Sequence, residues 1–188
     1  MGSLGRLDAH TKGLDLLLDG FAAYVAQGGQ GHLTLAGDGP DRAALEKQVQ
    51  RLGIASVVTF LGEVHGEAKR AFLMETDVLA QLSRHEGLPG APLEAAALGC
   101  PLLISEGTHL GESVRTHGAG KVLESCSPES VAEGLIWFAA CTDEVNLRLA
   151  RGARAMIERD YSWAERTRRM ERDLYRLQPP EHPPAEAA

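Results

Sequence analysis

Residues Ser83–Ser105 read SRHEGLPGAPLEAAALGCPLLIS. Two carboxylates, Glu86 and Glu94, stand eight positions apart across a Gly/Pro turn that opens a small-residue helix. The helix runs out at Gly99 into Pro101–Ile104, an apolar segment of strand length. In an open α/β sheet, ligands bind in the turns that follow the carboxyl ends of the strands. Free N–H groups at a helix N-terminus suit phosphate there, and carboxylates accept hydrogen bonds from sugar hydroxyls. The segment therefore predicts an α/β fold and points to a phosphorylated sugar as its ligand.

Outward from this block, apolar runs alternate with helical patterns. Strands are expected at His32–Ala36, Val57–Leu61, Val78–Leu82, Pro101–Ile104 and Lys121–Leu123. Between them, Leu14, Leu17, Leu18, Phe21 and Val25 make one helical stripe, and Leu45, Val49 and Leu52 another. Pro40 and Pro92 read as first-turn prolines, where a missing N–H costs the helix nothing. Strand–helix alternation of this kind predicts a Rossmann-like parallel sheet with helices on both faces.

The last third turns helical. Ser127-Pro128 starts a helix with Val131, Leu135 and Phe138 on one face, and a second is expected from Asp143 to Glu158. A third opens with a capping box from Ser162 to Glu165 and carries Trp163, Met170, Leu174 and Leu177. The division expected is one domain over residues 1–177 and a disordered proline-rich tail over 178–188. At the front, Gly5-Arg6-Leu7 has the form of a strand exit with only four residues ahead of it. A first strand in the middle of a doubly wound sheet would then be cut short. The chain reads as an expressed fragment or the product of a shortened gene reading, and Met1-Gly2-Ser3 as an addition ahead of the native residues.

A chain of 188 residues is long enough for a proper core. Its formal charge of −7 argues against a general nucleic-acid surface. No apolar run approaches the roughly 18 residues that span a bilayer, and no signal peptide opens the sequence. Cys100, Cys126 and Cys141 have no metal-like spacing, and each is expected to be a buried reduced thiol of a cytoplasmic protein. The seven histidines form no ligand pattern, so no protein-built metal site is expected.

Five motifs in order carry a resemblance. They are GRLDAHTKG (Gly5–Gly13), LTLAGDGP (Leu33–Pro40), VTFLGEV (Val58–Val64), EGLPGAPLEAAALGCPLLIS from Glu86, and GTHLGESV (Gly107–Val114). Together they resemble the C-terminal, donor-binding half of GT-B-fold glycosyltransferases of the family 4, or group 1, type, over about residues 5–177. The resemblance implies an isolated C-terminal half of a GT-B enzyme, with the N-terminal acceptor domain missing from this chain. The matching block most often has glycine three residues after its first Glu, where this chain has Pro89 in an EGLP variant.

The resemblance also implies roles. Alone, Arg6 and Lys12 fit a solvated surface; in the family the matching cations hold the donor diphosphate and stabilise its charge as the sugar leaves. Backbone groups near Val64 are implied to read the nucleotide base. Glu86 is implied to orient the transferred sugar through its hydroxyls, and Glu94 to accept from the ribose hydroxyls. As a carboxylate in the first turn of its helix, Glu94 has capping and the helix dipole as a competing reason to be there. Between the two, the N–H groups of Gly90, Ala91 and Leu93 are implied to face the phosphates. The Gly37–Pro40 turn fits strand-to-helix punctuation equally well. His10, His65, His85 and His109 read as surface or hydrogen-bonded side chains, and Gly111-Glu112 matches a loop near the sugar pocket.

The implied activity is retaining transfer of a sugar from a nucleotide-diphosphate sugar to an acceptor hydroxyl, with no metal or other cofactor and little turnover by this chain alone. Uridine, guanosine and adenosine donors all occur on the architecture. The implied location is cytoplasmic, or peripheral to a membrane in the full-length protein. Two alternatives stand beside this reading: a non-catalytic nucleotide-sugar-binding module that works with a separate acceptor subunit, and a sugar-nucleotide epimerase of the same fold.

Overall fold

Short strands that are apolar on both faces belong in a parallel sheet covered by helices on both sides, and that is what forms. The computed structural model describes residues 1–87, 89–162, 165, 167, 168, 170 and 172. Its strands are β1 (Gly2–Leu4), β2 (Leu33–Ala36), β3 (Val58–Gly62), β4 (Leu79–Gln81), β5 (Leu102–Ile104) and β6 (Gly120–Val122). They lie in the order β3-β2-β1-β4-β5-β6, with every pairing parallel. The helices are α1 (Ala9–Lys12), α2 (Leu14–Ala26), α3 (Arg42–Arg51), α4 (Gly66–Met74), α5 (Gly90–Ala97), α6 (Gly111–His117), α7 (Pro128–Ala139) and α8 (Asp143–Met156).

Alternate strand residues feed two cores. Leu33, Leu35, Ala80 and Leu103 face α2, α3 and α7, joining Phe21, Leu45 and Val131. Leu79, Leu102 and Ile104 face the other way, toward Phe72 of α4, Ala95 of α5, Val114 of α6 and Met156 of α8. The strand order reverses between β1 and β4, which opens a crevice at the carboxyl ends of those two strands.

Several expectations need correction. Gly2 and Ser3 are buried and form the central strand with Leu4, pairing with β2 on one side and β4 on the other. They are therefore part of the sheet. Pro40 lies outside α3, ahead of Asp41 at its N-cap, whereas Pro92 does fall in the first turn of α5. Of the cysteines only Cys100 is buried; Cys126 is exposed and Cys141 intermediate, because the segments carrying them run over the surface. The helix expected to reach Glu158 ends at Met156 and passes into a π-helical turn, Ile157–Tyr161. Ser162 Oγ does accept from the Glu165 N–H at 3.2 Å, and Met170 is 51% exposed. Trp163, Leu174, Leu177 and the tail over 178–188 lie outside the described residues.

Candidate functional site

All six strands run the same way, so the loops after them gather at one edge of the sheet. The loop after β1 carries Arg6 and Lys12. Lys12 ends the single turn of α1, and Asp8 caps that turn by accepting from the Thr11 N–H at 2.9 Å. This bond from the backbone N–H also holds the Asp8 carboxyl below its usual pKa. A second carboxylate, Asp41 from the start of α3, accepts from the Ala9 N–H at 2.8 Å. The β1 and β2 exits are laced together by Gly5 N–H to Ala36 O (2.9 Å) and Leu7 N–H to Asp38 O (2.9 Å). Gly37 must be glycine for this: its φ is 137°, and a Cβ there would lie 1.9 Å from Gly5 O. The Gly37–Pro40 turn is therefore required by packing, as its punctuation reading anticipates.

Arg6 is exposed and pairs with no carboxylate among the described residues. It borders an open hollow of about 510 Å³ together with Gly37, Asp38, Val64 and His65. It also shares a narrow crevice with Lys12 and Gln81. Lys12 Nζ in turn sits 2.6 Å from Glu86 Oε2, and the two side chains are only 25% and 12% exposed. Val64, Arg6, Lys12 and Glu86 thus form one continuous border across the loops after β3, β1 and β4.

Glu94 has a partner of its own. It is the fifth residue of α5 rather than a first-turn residue, because the helix starts at Gly90 with Pro89 as its N-cap. The capping explanation for its presence falls away. Its Oε2 instead meets Lys69 Nζ of α4 at 2.5 Å. Gly90 and Ala91 are the first two helical residues, whose N–H groups have no intrahelical acceptor. The Leu93 N–H already donates to Pro89 O at 3.4 Å, so of the three amides expected to face phosphate, two lie at the open end. Ala91, Leu93, Val64 and Leu4 pack against the same buried cluster.

Sequence reasoning missed four side chains here. Lys69 holds Glu94. Arg84 makes a two-pronged pair with Asp15 (2.8 and 2.9 Å) and donates to His10 O (2.7 Å), tying the β4 exit to α1 and α2. Asp15 raises the Arg84 pKa, keeping its charge fixed. Gln81 and Ser83, both buried, reach Glu86. A polar pair at the end of an apolar strand was the available signal for the last two. Glu106 pairs with Arg115. His109 (φ 58°) stacks edge-on to His85 at 6.1 Å. Among the described residues, no three His, Cys, Asp or Glu side chains converge to hold a metal ion. No helix among them is long and apolar enough to cross a membrane.

The arrangement is a polar edge with two cations, two lysine-bound carboxylates and an open helix N-terminus, which can take an anionic, hydroxyl-rich ligand. Comparison with known proteins bears on the family and the fold. A GDP-mannose-dependent alpha-(1-6)-phosphatidylinositol dimannoside mannosyltransferase of Mycobacterium tuberculosis is 31% identical over 147 residues, covering 78% of this chain and 37% of that protein. This chain spans about a third of the length of the curated relatives it matches. In fold, it is similar to the C-terminal domain of a glycosyl transferase group 1 family protein, LpcC, from Francisella tularensis. The TM-score is 0.74 at 18% identity, over 86% of this chain and 85% of that one. HepE of Anabaena, solved in complex with UDP, gives a TM-score of 0.79 at 21% identity, over 94% of this chain and 48% of that one. The profile described as Glycosyl transferases group 1 matches residues 1–156, and the chain belongs to that family.

Proposed function

We propose that this chain is the donor-binding half of a retaining glycosyltransferase, moving a sugar from a nucleotide-diphosphate sugar to an acceptor hydroxyl. The observation that carries this reading is the Lys12–Glu86 pair at the β1/β4 switch point, with Arg6 and Val64 on the same border. Arg6, Lys12 and the Gly90 and Ala91 N–H groups hold the diphosphate. Fixed positive charge at that place favours the leaving group as the C1–O bond breaks and its electron pair passes to phosphate. The acceptor oxygen bonds to C1 on the same face, and its proton goes to a leaving phosphate oxygen. Backbone near Val64 meets the base, Glu94 the ribose hydroxyls and Glu86 the sugar. The cations present serve the leaving group, so the scheme calls for no metal.

The acceptor is bound by an N-terminal domain that this chain does not contain, and the whole enzyme works in the cytoplasm. Alone, the chain binds donor weakly and turns over little. Residues 1–177 are the donor-binding unit. The similar proteins, one dependent on GDP-mannose and one solved with UDP, support a nucleotide sugar without choosing its base.

The test is calorimetry or thermal shift with UDP, GDP and ADP. A ligand at a hundredfold excess over its Kd adds about 2.7 kcal/mol of apparent stability. One nucleotide is expected to stabilise the chain, and Arg6→Ala and Glu94→Ala are each expected to reduce that stabilisation. No response to any of the three, or full response in both variants, refutes the assignment. Robust sugar transfer by the purified chain refutes the dependence on a second domain.

A further inference from the structure

Strand β4 and its exit carry Gln81 and Ser83, which are 5% and 0% exposed. Burying polar side chains is unfavourable unless each finds a partner, and here the hydrogen bonds all lead the same way. Gln81 Nε2 donates to Ser83 Oγ at 2.8 Å, and Ser83 Oγ donates to Glu86 Oε2 at 3.0 Å. Gln81 Nε2 also reaches that oxygen at 3.5 Å, and Lys12 Nζ closes on it at 2.6 Å. Three donors converge on Oε2, while Oε1 takes no hydrogen bond from a described residue. The relay is itself anchored to β5, since Ser105 Oγ donates to Ser83 O (2.6 Å) and the Ser105 N–H to Gln81 O (3.2 Å).

We propose that Gln81 and Ser83 are positioning residues: they lock one oxygen of Glu86 so that the other alone meets the transferred sugar, and thereby set which sugars are accepted. This rests on the reading of Glu86 as the sugar-contacting carboxylate. An ionised carboxylate can only accept, so a locked Oε1 selects a sugar with a free hydroxyl at that point. A deoxy sugar leaves the oxygen without a donor, and a sugar carboxylate there meets like charge. Chains of hydrogen bonds in a low-dielectric interior polarise one another, which suits Gln81 to act through Ser83 rather than directly. A pair that served only the core would affect every ligand of the edge alike.

The test titrates the chain with UDP, GDP and ADP, and with UDP-glucose, GDP-mannose and ADP-glucose. In Ser83→Ala and Gln81→Met, affinity for the free nucleotide is expected to stay within about twofold, since both act on Glu86, which is read as meeting the sugar and not the nucleotide. Affinity for the matching nucleotide sugar is expected to fall about five- to tenfold, the scale of one hydrogen bond to a charged group. In a Glu86→Ala background, Ser83→Ala is expected to add less than about twofold, because its route of action is gone. Equal loss for nucleotide and nucleotide sugar, or full additivity with Glu86→Ala, overturns the relay. A sugar that adds no affinity in the unmodified chain also overturns it, and leaves nucleotide binding standing. Failure of every nucleotide to bind removes the donor-binding reading, and the relay with it.

Discussion

Gly13 joins α1 to α2 and holds the site together from behind, so replacing it with alanine is the sharpest test of how this edge is built. Its φ is 65°, and a Cβ there would lie 2.1 Å from Leu82 O and 2.8 Å from Leu82 C. Two costs follow. The left-handed conformation with a side chain costs about 1–2 kcal/mol. Forcing a methyl against backbone that cannot swing away adds about 1–3 kcal/mol. Gly13→Ala is therefore expected to lose about 2–5 kcal/mol in urea denaturation. For a domain of this size that corresponds to a fall in Tm of roughly 5–15 °C. The strain is relieved only by moving the α1–α2 joint off the β4 exit, which also pulls Lys12 from Glu86. Nucleotide affinity should fall with stability. Gly118→Ala is the control, because Gly118 has a similar φ of 61° but open space around its Cβ. It should lose only the conformational part. If Gly13→Ala comes within about 0.5 kcal/mol of the unmodified chain, or no lower than Gly118→Ala, the close approach of α1 to β4 is wrong.

Burial pushes the Cys100 thiol up from 9.0 to about 12. The unfolded thiol ionises from about pH 9 while the folded one stays protonated, so stability is lost as pH rises from 9 toward 12. The loss should reach about 1.4 kcal/mol at pH 10 relative to pH 8; Cys100→Ala should lack this component, and an identical pH dependence in both would refute it. In alkylation at pH 8 followed by mass spectrometry, exposed Cys126 should react first and Cys100 only after denaturation. Ser127 Oγ accepts from the Ser130 N–H at the start of α7 (3.2 Å), so Ser127→Ala should cost about 1 kcal/mol in the same denaturation assay.

The sequence by itself determined the architecture. Strands buried on both faces are mostly apolar, so β2 and β5 are legible as the short runs Leu33–Ala36 and Leu102–Ile104. The start of α7 is equally legible, because Ser127 capping and Pro128 in the first turn are local chemistry. The candidate residues Arg6, Lys12, Glu86 and Glu94 were also legible as loop or helix positions that follow strands. What only the tertiary structure decided is who meets whom. Lys12 and Glu86 lie 74 residues apart, and they touch because β1 and β4 are neighbours, an ordering that local periodicity cannot encode. The same holds for Arg84 with Asp15 and for Lys69 with Glu94. The start of α5 also differs from the expected one: with Pro89 at its N-cap, Glu94 lies beyond the first turn and pairs with Lys69. Helix and strand type follow from interactions a few residues long, whereas the partners of a buried charge follow from strand order, which the whole chain settles at once.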